Sequence, residues 1–171
     1  MLSEEAMTMR VLVTAASKYG STEEIAAAIA DGLGSHGLDV TVAHVDEVED
    51  AGGYDAVVLG SAVYAGRWMR PARSLATSLA AMPGGPSLWL FSSGPIGDPP
   101  KPEGDPSDVA ALDGGPNVRG HAVFAGKLVR DGLRFGDRAI VSALHAPDGD
   151  FRDWREISAF ADEVARDLTD A

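Results

Sequence analysis

The stretch from Val11 to Leu33, VLVTAASKYGSTEEIAAAIADGL, sets a short apolar run against a helical repeat, with a turn rich in hydroxyls and glycine between them. Val11, Leu12 and Val13 are too few and too β-branched for a buried helix, and the run is predicted to be a central parallel strand ending near Ala15. From Thr22 onward Ile25, Ile29 and Leu33, with Ala26 and Ala30 beside them, recur at helical spacing until Gly34 and Gly37 stop the pattern. In the turn, Ser17, Ser21 and Thr22 supply hydroxyls, and the backbone N–H groups of Tyr19, Gly20, Ser21 and Thr22 can aim at one point where the helix begins. Gly20 allows close approach of the backbone, and a helix N-terminus favours negative charge by about 0.3–1 kcal/mol. The turn is therefore predicted to cradle a phosphate. It is neither a GxxxxGK[ST] nucleotide loop nor a GxGxxG dinucleotide fingerprint, because both patterns are absent.

Working outward, Val40, Val42 and Val45 mark a second strand, followed by an acidic piece, Asp46 to Asp50, expected to be a short solvated helix or loop. YDAVVLG, Tyr54 to Gly60, reads as a third strand. Arg70-Pro71 opens a helix with Leu75, Leu79 and Met82 on one face, proline being tolerated in a first turn. PSLWLFSSG, Pro86 to Gly94, is predicted to be a fourth strand and GHAVFAG, Gly120 to Gly126, a fifth, with a Pro/Gly/Asp-rich loop or frayed short helix between them up to Asn117. Arg138 to Leu144 is ambiguous between strand and helix, and the reading favours helix. Trp154, Ile157, Ala161, Val164 and Leu168 follow three-four spacing and close the chain with an amphipathic helix. Alternating strands and helices predict an α/β fold, a doubly wound parallel sheet covered on both faces. Met1 to Met9 is expected to be a flexible segment and residues 10–171 a single domain.

Composition limits the function. The 171 residues carry 26 acids against 14 bases, a formal charge of −12, which disfavours nucleic acid and anionic membrane as partners and leaves a basic protein possible. No run of about 18 apolar residues and no basic-apolar leader is present, so a cytoplasmic protein without stable membrane insertion is expected. With no cysteine, thiol catalysis, disulfides and iron–sulfur clusters are excluded. His145 with Asp148 reads as a loop rather than a metal site, His36 and His44 are isolated, and no metal is expected. The tryptophans are explained by core packing, apart from Trp68.

The [ST]-x-x-G-x-T arrangement of Ser17 to Thr22, directly after the first strand, resembles the phosphate loop of the flavodoxin family, and the resemblance extends over five strand-like segments. It implies a flavodoxin-like sheet of order 2-1-3-4-5 with FMN as cofactor. The 5′-phosphate would be held by Ser17, Lys18, Tyr19, Gly20, Ser21 and Thr22, where Tyr19 and Ser21 stand in place of the Thr and Asn of many members. It also implies that the isoalloxazine lies between Ser61, Ala62, Val63, Tyr64 and Gly66 on one side and Ser92, Ser93, Gly94, Pro95, Ile96 and Gly97 on the other, with Tyr64 or Trp68 stacked on it. FSSGPIGDP, HAVFAGKL and DFRDWREISAFADEVA are most similar to the subgroup that includes the menaquinone-dependent protoporphyrinogen dehydrogenases. That resemblance implies an oxidoreductase acting on a quinone- or porphyrinogen-like molecule, although Gly94 to Asn117 is not basic and apolar. His121 and Tyr64 are candidates to assist proton movement, and Asp98 to tune the potential, while no residue is assigned as catalytic. The alternatives are an electron carrier docking to a basic redox protein, a domain without cofactor, and a deazaflavin in place of FMN. A homodimer is compatible with the sequence.

Overall fold

The computed structural model describes residues 8–64, 66–94, 107–112, 114–143 and 149–170. β1 (Arg10–Ala16) alternates Val11, Val13 and Ala15 with Leu12, Thr14 and Ala16, and both sets are buried, which is why the segment reads as an unbroken apolar run. The first set packs with α1 (Ser21–Gly34) and α5 (Trp154–Thr169). Leu12 and Ala16 pack on the other face with α2 (Arg70–Ala81).

The sheet is completed by β2 (Asp39–His44), β3 (Ala56–Tyr64), the two-residue β4 (Arg67–Trp68), β5 (Ser87–Ser93) and β6 (Val118–Phe124). Its order is β2-β1-β3-β5-β6 with every one of these pairings parallel, the predicted order once β4, antiparallel on the end of β3, is set aside. α3 (Ser107–Ala110) is a single turn. Beyond β6 come β7 (Lys127–Leu128), α4 (Phe135–Ala143) and β8 (Gly149–Asp150), with β7 and β8 antiparallel. The ambiguous segment from Arg138 is thus helical, and the acidic piece after β2 holds single 3-10 turns at Val45–Glu47 and Ala51–Gly53.

Four expectations are corrected. β2 ends at His44, so Val45 lies in the 3-10 turn that follows it. The third strand is Ala56–Tyr64 rather than Tyr54–Gly60, so Gly60 lies inside it and Ser61 to Tyr64 are strand rather than loop. The fifth long strand is Val118–Phe124 rather than Gly120–Gly126. Gly120 lies inside it, where a Cβ would stand 3.3 Å from Trp89 Cδ1, and Gly126 lies beyond it, where a Cβ would stand 3.2 Å from Gly94 Cα. Both glycines permit close approach, and neither bounds the strand. Trp154 is not a core residue: it begins α5, is 44% exposed, and lies under the Arg152 guanidinium at 4.7 Å. Trp89 is in the core as expected. Among the described residues no helix is long and apolar enough to cross a membrane.

Candidate functional site

The carboxyl ends of β1, β3 and β5 lie side by side, with Ala16 paired to Ser61 and Ala62 to Ser93. This brings the turn after β1 next to the two other predicted loops. The turn itself bends at Gly20, whose φ of 88° is left-handed, a conformation that costs a glycine nothing sterically. Its N–H donates to Ser17 Oγ at 2.9 Å, so the loop closes on itself and the Ser17 hydroxyl keeps its proton for another acceptor. α1 has no side-chain cap, leaving its first N–H groups, from Ser21 to Glu23, without helical acceptors. A Cβ at Gly20 would meet nothing within 4 Å, so the space beside the turn is open.

Thr22, like Thr14 in β1, carries the mark of a missing partner. The residue is 0% exposed and its Oγ1 has no hydrogen-bond partner among the described residues. A buried hydroxyl left unsatisfied costs about 1–3 kcal/mol. Together with the Ser17 hydroxyl and the free amides of the first turn, it forms a donor set that suits a phosphate monoester. The acids of that turn are engaged elsewhere: Glu23 pairs with His44 at 3.0 Å and Glu24 with Arg152 at 3.3 Å.

The end of β3 and the turn into β4 are held by their own polar groups. Ser61 Oγ accepts from Met69 N–H at 2.9 Å and donates to the Ala62 carbonyl at 2.8 Å, so its hydroxyl is used inside the protein. Val63 is half-buried, Gly66 turns with φ 75°, and Tyr64 stands out at 43% exposure. Tyr64 is the available aromatic, because Trp68, the alternative stacking residue, is buried among the side chains under α2. The Trp68 indole N–H donates to Ser92 Oγ at 2.8 Å, and Ser92 Oγ is 2.9 Å from His121 Nε2. Ser92 and Ser93 are buried, and Gly94 donates to the Phe124 carbonyl at 3.3 Å. Pro95, Ile96, Gly97 and Asp98, like His145 and Asp148, lie outside the described residues.

The segment after β6 supplies residues the sequence reading missed. Asp137 of α4 receives the Tyr19 hydroxyl and the Lys18 ammonium, and Arg134 N–H donates to Tyr19 Oη at 3.2 Å. The hydrogen bond from Lys18, then that from Tyr19, hold the Asp137 carboxyl below its ordinary range. The Tyr19 side chain is therefore turned to α4, and its backbone is what remains for the cradle. Tyr64, its hydroxyl bonded by the Lys18 amide, is pushed up to about 12 by burial and by the neighbouring Tyr19 and Asp137, so it stays a neutral phenol. On the other side of the loop Arg152 grips Asp150 through Nε at 2.9 Å and Nη2 at 2.8 Å, and Nη1 reaches the Ser21 carbonyl at 3.2 Å. That bidentate contact lowers the Asp150 carboxyl and raises the guanidinium. Tyr19 and Asp137 lie 118 residues apart and Ser21 and Arg152 131, with no local signal for either contact.

Among solved structures the chain is similar to a flavodoxin from the domain Archaea, with TM-score 0.61, 17% identity, and 94% of this chain and 99% of that one covered. It is similar to the flavodoxin of Streptococcus pneumonia TIGR4, with TM-score 0.61, 19% identity, and 92% and 99% covered. It also matches rubredoxin oxygen:oxidoreductase from Desulfovibrio gigas, with TM-score 0.64 and 15% identity, where 94% of this chain spans 36% of the longer one. These likenesses establish the fold. No curated protein matches the sequence. A family model described as Flavodoxin domain matches residues 12–154, from β1 to the first residue of α5. The chain therefore belongs to the flavodoxin domain family, a membership that supports FMN as its cofactor.

Proposed function

We propose that the chain, acting as one domain over residues 10–171 in the cytoplasm, is an FMN-dependent oxidoreductase that passes electrons or a hydride between a reductant and a quinone- or porphyrinogen-like small molecule. The observation that carries the FMN site is the buried Thr22 hydroxyl without a partner, in an open glycine turn at a helix N-terminus. Ser17, Ser21, Thr22 and the backbone from Lys18 to Gly20 would hold the phosphate. Ser61 to Tyr64, Gly66 and Ser92 to Gly97 would flank the ring. FMN, when bound, supplies an acceptor at N5 for a hydride or electrons. The protein orients it and keeps protons in place. Tyr64 offers a neutral hydroxyl, and Ser92, which takes the Trp68 N–H on one lone pair, either donates to or accepts from His121. The enzyme reading rests on the sequence resemblance of FSSGPIGDP, HAVFAGKL and DFRDWREISAFADEVA to the dehydrogenase subgroup.

The second reading is an electron carrier, favoured by the 99% coverage of two flavodoxin chains. An anaerobic potentiometric titration of the FMN-loaded protein separates the two. The enzyme reading expects a single two-electron wave. Two one-electron waves separated by more than about 100 mV would transfer the assignment to the carrier.

A further inference from the structure

The net charge of −12 conceals a segregation that reverses at the cofactor's end of the molecule. Residues 39–55 hold six acids and no Lys or Arg, whereas residues 56–97 hold three arginines and no acid. Two of these, Arg67 and Arg70, are exposed and have no side-chain partner among the described residues. Arg67 is paired across the β3–β4 turn with Tyr64, whose hydroxyl is bonded by the Lys18 amide. From there the surface continues through Tyr19 to Arg134 and Asp137, and on to Arg138, which binds Asp131 at 3.0 Å. Along this path five cations, Lys18, Arg67, Arg70, Arg134 and Arg138, stand against two carboxylates. Large apolar side chains project among them: Phe135 is 88% exposed, and Ile140, Tyr64 and Tyr19 are all exposed. These groups stand out from the surface, as a docking face requires, rather than lining a cavity.

We propose that this ridge, from the β3–β4 turn across the phosphate loop to α4, docks an acidic redox protein that exchanges electrons with the cofactor. The inference rests on the FMN site at the phosphate loop. It reverses the sign of partner that the net charge suggests. Charges on the far side of the molecule are screened beyond a Debye length of about 8 Å at physiological salt, whereas those on the ridge act at contact. Unpaired arginines and exposed aromatics are the residue types enriched at protein interfaces. A carboxylate-rich partner would neutralise Arg67 and Arg70, which no described residue neutralises, while Phe135 and Tyr64 supply apolar area.

The test uses an acidic [2Fe–2S] ferredoxin and the basic cytochrome c as probes, with binding to the full chain measured by calorimetry, with and without FMN, at about 20 and about 200 mM NaCl. Ferredoxin is expected to bind, to weaken at least about tenfold at the higher salt, and to weaken at least about tenfold in the double variant R67E/R134E. Both side chains are exposed, and the Arg134 N–H to Tyr19 bond survives the change. Charge reversal on the acidic side, E47R/E49R, is expected to leave ferredoxin affinity within about threefold. In the FMN-loaded protein each ferredoxin gives up one electron, so two encounters, with protons from water, reduce one FMN, and R67E/R134E is expected to slow that reduction in proportion to the loss of binding. Ferredoxin affinity unchanged by R67E/R134E, or no ferredoxin binding at low salt, would overturn the proposal, cytochrome c being titrated separately because it binds ferredoxin itself. Because docking is read on protein without FMN as well, a chain that takes up no flavin would sink the FMN reading alone.

Discussion

Gly60→Ala is expected to destabilise the protein by about 3 kcal/mol, at the upper end of what overpacking a core costs. Gly60 sits in β3 beside Phe91 of β5, and a Cβ there would lie 2.1–2.4 Å from three carbons of the ring. The ring is fully buried and packs on Phe124 at 6.0 Å, with Phe124 in turn on Phe160 at 5.6 Å. It has nowhere to retreat without moving α5. For a chain of this size the loss corresponds to a fall of about 6–12 °C in melting temperature, read by circular dichroism. The double variant with Phe91→Leu is expected to melt above Gly60→Ala alone, because the shorter side chain leaves room for the methyl. A single variant melting within about 2 °C of wild type would show that Phe91 does not occupy the space beside Gly60.

Thr22→Val is expected to separate stability from binding. Valine keeps the shape of threonine and removes a hydroxyl that has no partner within the protein. Replacing an orphaned buried polar group by an apolar one of the same shape is neutral or stabilising, so the flavin-free protein should be unchanged or more stable by up to about 1 kcal/mol. The same change removes a donor to a charged phosphate, a hydrogen bond of about 1.5–3 kcal/mol, so FMN affinity should fall by about 10- to 100-fold. Riboflavin, which lacks the phosphate, should bind wild type and variant alike. Equal losses for both flavins would mean that Thr22 acts on the ring or the fold, and a less stable flavin-free protein would mean that its hydroxyl has a partner.

How much of this was legible in the sequence depended on the range of the signal. β1 and α1 were read correctly because their periods, an apolar run and then Ile25, Ile29 and Leu33, are local and each residue is buried. Alternation along the chain gives a parallel sheet but no strand order, and the order of the long strands is what the flavodoxin resemblance implies. β4, β7 and β8 were missed because two residues carry no period. Trp68 is an alternative to Tyr64 for stacking because an aromatic in a loop suggests it, yet its N–H finds Ser92, 24 residues away, and it is buried. Tyr19 enters the cradle through its backbone N–H, and the bond of its hydroxyl to Asp137, 118 residues on, has no local signal. Thr22 is legible as a donor from its place at the helix start, and only the packed structure shows that no described residue satisfies it. Net charge says least about location, since it averages the six acids of residues 39–55 with the three arginines of residues 56–97.

The central claim is that the turn from Ser17 to Thr22 grips the phosphate of a flavin mononucleotide. Its most direct test is a titration of the purified flavin-free protein with FMN and, separately, with riboflavin, followed by fluorescence quenching. Saturable one-to-one binding of FMN, at least about 100-fold tighter than riboflavin, is the expected result, a difference of about 2.7 kcal/mol for the phosphate alone. Equal affinity for the two flavins, or no binding of FMN, would contradict it.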